Sequence, residues 1–234
     1  MVGAESTIFE NDPFFGIGEF IMSSTTVTLK EKAYIHLRRL ILNAELKPGE
    51  VLTERMLVEM LEMSRTPIRA ALERLDAEGL ANYTPNKGLV VAEFSIRKAI
   101  DLYDYRIAME CFVVRKLAAM EWEKNDLKWF EQNLRQQETH VEKSDNARFT
   151  EADSQFHRKL VEVYANSEII QAMERLQDKL YQIAIGVLRK DRTRIQVSYN
   201  DHLRIFQSIQ EGDPDKASQA MEEHLEFGKR ILIM

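Results

Sequence analysis

Apolar residues Ala33, Leu37, Leu40 and Ile41 recur at the three- and four-residue spacing of one helix face between Lys30 and Asn43. Leu46-Lys47-Pro48-Gly49-Glu50 then breaks the pattern with proline and glycine. Thr53 is placed to cap a short second helix through Leu61 that turns Met56, Leu57 and Met60 inward, and Glu62-Met63-Ser64 makes a tight corner. A third helix starts at Ser64 or Thr66 and buries Ile68, Ala71, Leu72 and Leu75. It tolerates Pro67 in its first turn, where amides are unpaired anyway, and stops at Gly79. Leu80–Thr84 and Leu89–Phe94, around Pro85-Asn86-Lys87-Gly88, have the composition of a two-stranded hairpin. Three helices and a hairpin in this order describe a winged helix-turn-helix.

Beyond Phe94 the period changes to 3.6 and stays there to the C-terminus. Ser95 is a capping residue, and breaks fall near Asn125, Ser144–Asn146, Asn166-Ser167, Lys190–Thr193 and Gly212-Asp213-Pro214. Loops this short predict an antiparallel bundle of about six helices. The fold class is therefore mainly α, with an N-terminal arm over 1–28, a winged helix over 29–94 and an all-helical domain over 95–234. The arm holds Phe14, Phe15, Ile17 and Phe20 without a clear period, so it is expected to pack on its own protein or on a second subunit.

Composition narrows the class. An apolar content of 44% is ample for buried cores in a chain of 234 residues, and the single cysteine excludes an intramolecular disulfide. Cys111 stands among apolar neighbours, where an inert thiol is expected. There is no apolar run of membrane-spanning length and no Lys or Arg before Lys30, so a cytoplasmic protein without a membrane partner is expected. The net charge of −6 is unfavourable for nucleic acid only as a whole. Residues 30–94 carry ten basic and ten acidic side chains, and phosphates respond to the local field.

Within that balanced segment, Arg65 and Arg69 lie four residues apart at the N-terminal turn of a helix whose other face is buried. On an arbitrary helix such arginines pair with neighbours such as Glu62 or Glu73. Here they follow a tight corner and precede a hairpin, an arrangement suited to groove insertion. Arginine reads guanine bidentately, while Ser64 and Thr66 can hold phosphates. Lys87 beside Gly88 at the wing tip, and Arg55 on the preceding helix, are placed to join them.

The second constellation is in the helical region. Asp153 and His157 are i,i+4 on one helix, His202 shares a stripe with Ile195, Tyr199, Phe206 and Ile209, and His224 shares one with Ala217, Ala220, Met221 and Gly228. Four such groups on apolar faces are costly to bury unless satisfied. A divalent cation satisfies all four at once; separate hydrogen bonds within the core are the other solution, and spacing leaves both open.

The run from Leu46-Lys47-Pro48-Gly49 through Leu52-Thr53-Glu54-Arg55, Ser64-Arg65-Thr66-Pro67-Ile68-Arg69, Leu75-Asp76-Ala77-Glu78-Gly79-Leu80 and Asn86-Lys87-Gly88 resembles the GntR family of transcription regulators. Ala70 departs from it, since an acidic residue often follows the second arginine there. The helical region, with Leu102-Tyr103-Asp104-Tyr105-Arg106-Ile107-Ala108-Met109-Glu110, is similar to the FCD ligand-binding domain of the FadR subfamily. The resemblance implies that Arg55, Ser64, Arg65, Thr66, Arg69, Lys87 and Gly88 meet operator DNA. It further implies that Asp153, His157, His202 and His224 ligate a metal and that Arg106 meets an effector carboxylate. Zinc is the first expectation, with nickel and manganese compatible with the same ligands. A homodimeric repressor on double-stranded operator DNA, answering to a small organic acid, is the function expected. The alternatives are a regulator answering to metal alone and a metal-dependent hydrolase. No phosphate-binding glycine loop or nucleophile elbow supports an enzyme.

Overall fold

The computed structural model describes residues 27–42, 45–92, 95–191 and 193–233. The arm expected over 1–28 lies outside them apart from Val27 and Thr28. The chain separates into two compact units that divide after residue 93.

In the first unit, α1 (Leu29–Leu42) buries Ala33, Leu37, Leu40 and Ile41. Thr53 caps α2 (Glu54–Leu61) by accepting the Met56 amide at 3.2 Å, and Glu62, at φ 52°, turns the chain into α3 (Arg65–Ala77). Ile68, Ala71, Leu72 and Leu75 of α3 pack inward, and α3 lies chiefly against α1. Inward placement of Met56 and Met60 was expected; both are 45% exposed, and only Leu57 of the three is buried. Two helical turns present one narrow buried stripe, and the Glu54–Leu57 edge occupies it.

The hairpin is β2 (Ala81–Thr84) with β3 (Gly88–Val91), antiparallel, Thr84 facing Gly88 and Ala81 facing Val91. A further strand, β1 (Val51–Leu52), pairs with β3 on its other side, so the sheet order is β1-β3-β2. Two residues are too few to show alternation, which is why the pattern did not reveal β1. The sheet fixes the wing: at Gly88, φ is +112°, and a Cβ there would run into the Leu52 carbonyl oxygen.

The second unit contains six helices among the described residues: α4 (Ile96–Leu117), α5 (Lys124–Glu142), α6 (Asn146–Tyr164), α7 (Ser167–Lys190), α8 (Arg194–Gln210) and α9 (Pro214–Ile233). Ser95, Asp145 and Asn166 cap three of them through side-chain oxygens. The core joins Val113, Val114 and Leu117 of α4 to Phe130 of α5, Phe156 of α6, Phe206 of α8 and Met221 of α9. Phe130 stacks on Phe206 and meets Phe156 edge-on. α4 and α9 approach closely at Gly228, where an added Cβ would lie 2.5 Å from the Tyr103 hydroxyl. Among the described residues, no helix is long and apolar enough to cross a membrane.

Candidate functional site

On the winged helix, Ser64, Arg65 and Thr66 are exposed at the start of α3, and the Ser64 side chain makes no capping hydrogen bond. Arg55 is also exposed and pairs with Glu59 at 3.0 Å. Arg69 behaves differently from Arg65. It pairs with neither Glu62 nor Glu73 but donates from Nε to Glu54 Oε2 at 3.0 Å and from Nη2 to Asn86 Oδ1 at 2.9 Å. Glu54, itself buried, also accepts from the Tyr83 hydroxyl at 2.8 Å and the Asn86 amide at 3.2 Å. The hydrogen bond from Arg69 holds the Glu54 carboxyl below its ordinary range, against the opposing effect of burial, with Tyr83 and Asn86 adding to it. Arg69 therefore ties α3 to the wing turn. The exposed Lys87 sits on that turn, which closes through its amide donating to the Thr84 carbonyl at 3.0 Å.

In the helical unit, α6 projects Asp153 and His157 inward, α8 projects His202 and α9 projects His224. One donor atom from each lies within 4.8 Å of the others. The three imidazoles are at most 4% exposed. Their ring centroids are 4.7 to 5.2 Å apart, and Phe156 stacks on His202 at 4.3 Å.

The outer nitrogens identify the tautomers of His157 and His202. His157 Nδ1 lies 2.6 Å from Glu110 Oε2, a carboxylate that can only accept, so Nδ1 carries the proton. His202 Nδ1 meets Gln137 Oε1 at 2.7 Å. The Gln137 amide is oriented by donating to Asn133 Oδ1 at 2.7 Å, and Asn133 in turn donates to the Ala152 carbonyl at 3.0 Å. In the neutral form of each, Nε2 holds a lone pair; both Nε2 atoms are buried without a hydrogen-bond partner, and that of His202 faces Asp153 Oδ1 at 3.5 Å. His224 Nδ1 lies 3.2 Å from Asp201 Oδ2 and equally far from Arg194 Nη2, which also donates to the His224 carbonyl at 3.0 Å. Burial, then the neighbouring imidazoles and arginines, holds His202 and His224 well below the ordinary histidine range, so both are neutral at pH 7.

Two buried acceptors without donors cost about 1–3 kcal/mol each. A cation bound by both, with His224 and Asp153 completing the set, removes that cost. Neutral imidazoles held by outer hydrogen bonds are the form that ligates metal. The donor set fits a divalent ion.

Residues 101–227 match the FCD domain, and residues 29–91 match the bacterial regulatory proteins of the gntR family. The chain belongs to the gntR family and carries an FCD domain. It is similar to the HTH-type transcriptional repressor RspR of Escherichia coli K12, 28% identical over 205 residues that cover 86% of this chain and 87% of that protein. It is also similar to the gluconate operon transcriptional repressor of Bacillus subtilis, 25% identical over 170 residues covering 73% and 68%. The solved structure of E. coli McbR/YncC, 20% identical, covers 89% of this chain with 98% of its own at a TM-score of 0.73, a likeness of fold. The protein is accordingly a transcriptional regulator with a DNA-binding helix-turn-helix, in a family of regulators rather than enzymes.

Within the FCD domain, Arg106 is buried on α4 and donates from Nε to Glu110 Oε1 at 2.6 Å. It lines the same two cavities as Asp153. Burial alone would push the Glu110 carboxyl up; the charge of Arg106 and the hydrogen bonds from Arg106 and His157 overcome this and hold it well below the carboxylate range. Glu110, Gln137 and Arg194 were not singled out from the sequence. Gln137 and Asn133 carried a signal, being polar residues on the stripe of Phe130 and Leu134. Glu110 stands four residues beyond Arg106, but Arg194, at the start of α8, gave none. Cys111 is half-buried and its thiol is pushed up to about 12 by burial, in keeping with the inert thiol expected.

Proposed function

We propose that this GntR-family regulator is a cytoplasmic homodimeric repressor that leaves its operator when a small carboxylic acid binds at a metal site in the FCD domain. Residues 29–94 read operator DNA, and residues 95–234 hold metal and effector. Asp153, His157, His202 and His224 ligate the ion, for which zinc is the first choice and nickel or manganese also suit three imidazoles and a carboxylate. The bound ion supplies positive charge that attracts an anionic oxygen. The observation that carries this reading is the pair of buried Nε2 atoms on His157 and His202 that make no hydrogen bond, converging with the other two donors.

Arg106 orients the acid through the donors that Glu110 leaves available, and Glu110 and Gln137 hold their imidazoles in the ligating tautomer. Arg55 from α2 and Arg65 and Arg69 from α3, with Ser64 and Thr66, meet the duplex, while Lys87 and Gly88 bring the wing to a neighbouring phosphate. Repressor function in RspR and in the gluconate operon repressor supports the sign assigned here. Release requires the acid to favour one arrangement of the protein over another.

The test uses operator fragments selected from random DNA by the full chain. Metal-loaded protein should lose fragment affinity on addition of a carboxylic acid, and chelator-treated protein should not respond to it. A response to metal that no acid alters would assign the protein to metal sensing instead. His202→Ala should lose the ion, measured by native mass spectrometry; unchanged metal content refutes the ligand set.

A further inference from the structure

The imidazole cluster lies where two cavities of unlike chemistry meet. One, about 610 Å³ with its mouth included, has Arg106, Asp153 and His157 among its lining and runs between α6 and α7. Val161, Ile170, Met173, Leu180 and Ala184 supply its apolar surface, and Ser154, Gln177 and Tyr181 are its neutral polar members. The other, about 400 Å³, shares Arg106, Asp153 and Ala184 and is more polar, with Thr150, Arg194, Ser198 and His224 set beside Phe149, Val187 and Leu225.

We propose that the effector is a monocarboxylic acid with a short aliphatic or aromatic tail, its carboxylate at the cluster and Arg106 and its tail in the α6–α7 corridor. The inference rests on the metal-and-carboxylate reading above and adds the chemistry of the rest of the molecule. Three observations select that class. Metal and Arg106 both demand an anionic oxygen, and they fix it at the shared corner of the cavities. The surface that the corridor exposes is chiefly apolar, so a hydroxylated chain would lose more hydrogen bonds to water along it than Ser154, Gln177 and Tyr181 replace. The corridor lining also includes Arg158, Glu162 and Glu174. Arg158 is already paired with Glu162 at 3.1 Å, and Glu174 leaves the group net negative. A second carboxylate at the far end of a dicarboxylic acid would meet like charge there.

The experiment is calorimetric titration of the zinc-loaded full chain with acetate, butyrate, hexanoate, phenylacetate, succinate and gluconate. Each buried methylene should tighten binding roughly threefold, so hexanoate should exceed acetate by about a hundredfold. Succinate should bind at least roughly tenfold more weakly than butyrate, its four-carbon counterpart. Ile170→Asn, at a half-buried corridor position, should cost hexanoate about tenfold while leaving acetate affinity and zinc stoichiometry unchanged. Zinc-dependent acetate binding with no gain from chain length overturns the tail assignment alone. Gluconate or succinate binding as tightly as hexanoate also overturns it, because the polar cavity would then receive the ligand. Binding of no acid, or equal binding without zinc, overturns the metal-and-carboxylate reading together with this one.

Discussion

Glu110→Gln tests whether the buried end of α4 is held by charge. The substitution keeps shape and volume but removes the negative charge that faces Arg106 Nε and His157 Nδ1, each 2.6 Å away, in a place where Glu110 is 1% and Arg106 8% exposed. Unit charges about 4 Å apart attract by about 4 kcal/mol at the effective dielectric that describes protein sites. A glutamine regains about 1 kcal/mol, because its oxygen still accepts one hydrogen bond and no carboxylate has to be desolvated. The net loss expected is about 3 kcal/mol, the low end of what breaking a buried ion pair costs. Urea unfolding of the chelator-treated full chain at pH 7, followed by circular dichroism, measures it without a metal contribution. Replacing both partners, Arg106→Met with Glu110→Leu, should recover part of that loss, because no charge is then left unpaired and only the His157 Nδ1 donor is left without its acceptor. In the single variant, metal affinity should fall about 10- to 100-fold, since the residue orienting a ligand imidazole is altered. A loss under about 1 kcal/mol for Glu110→Gln, or a double variant no better than the single one, refutes the charge argument.

Two further outcomes concern the winged helix. Arg65→Ala should weaken operator binding by about 1–3 kcal/mol and relax base preference, whereas Lys87→Ala should lower affinity evenly across sequences and reduce the salt slope by about one. Arg69→Ala should combine both effects, because its removal also releases Asn86 of the wing turn. Fluorescence anisotropy over a salt series separates the three, and identical behaviour of the Arg65 and Lys87 variants contradicts the groove docking. Gly88→Ala should destabilise the winged helix by about 3 kcal/mol, since the added Cβ combines a positive φ with a clash against the Leu52 carbonyl. Thermal unfolding together with operator affinity reads this out, and an unchanged transition with full affinity contradicts it.

The order of elements was legible because each is governed by neighbours close in the chain. Stripes such as Ile68-Ala71-Leu72-Leu75, caps such as Thr53 and Ser95, and the Pro85–Gly88 turn act within a few residues. The same periodicity placed Asp153, His157, His202 and His224 on inward faces. It could not say whether they met, nor that Glu110, Gln137 and Asp201 lie behind the three imidazoles. Nor could it assign Arg69 to Glu54 and Asn86, or turn Met56 and Met60 outward. A helical period states only that a side chain points to the interior. Which polar atom it finds there depends on how helices distant in sequence cross and rotate, and that is set by packing across the whole core. The sequence by itself therefore determined the helices, the wing and the chemical types available, and the tertiary structure decided which buried nitrogens are satisfied and which are left without a hydrogen bond.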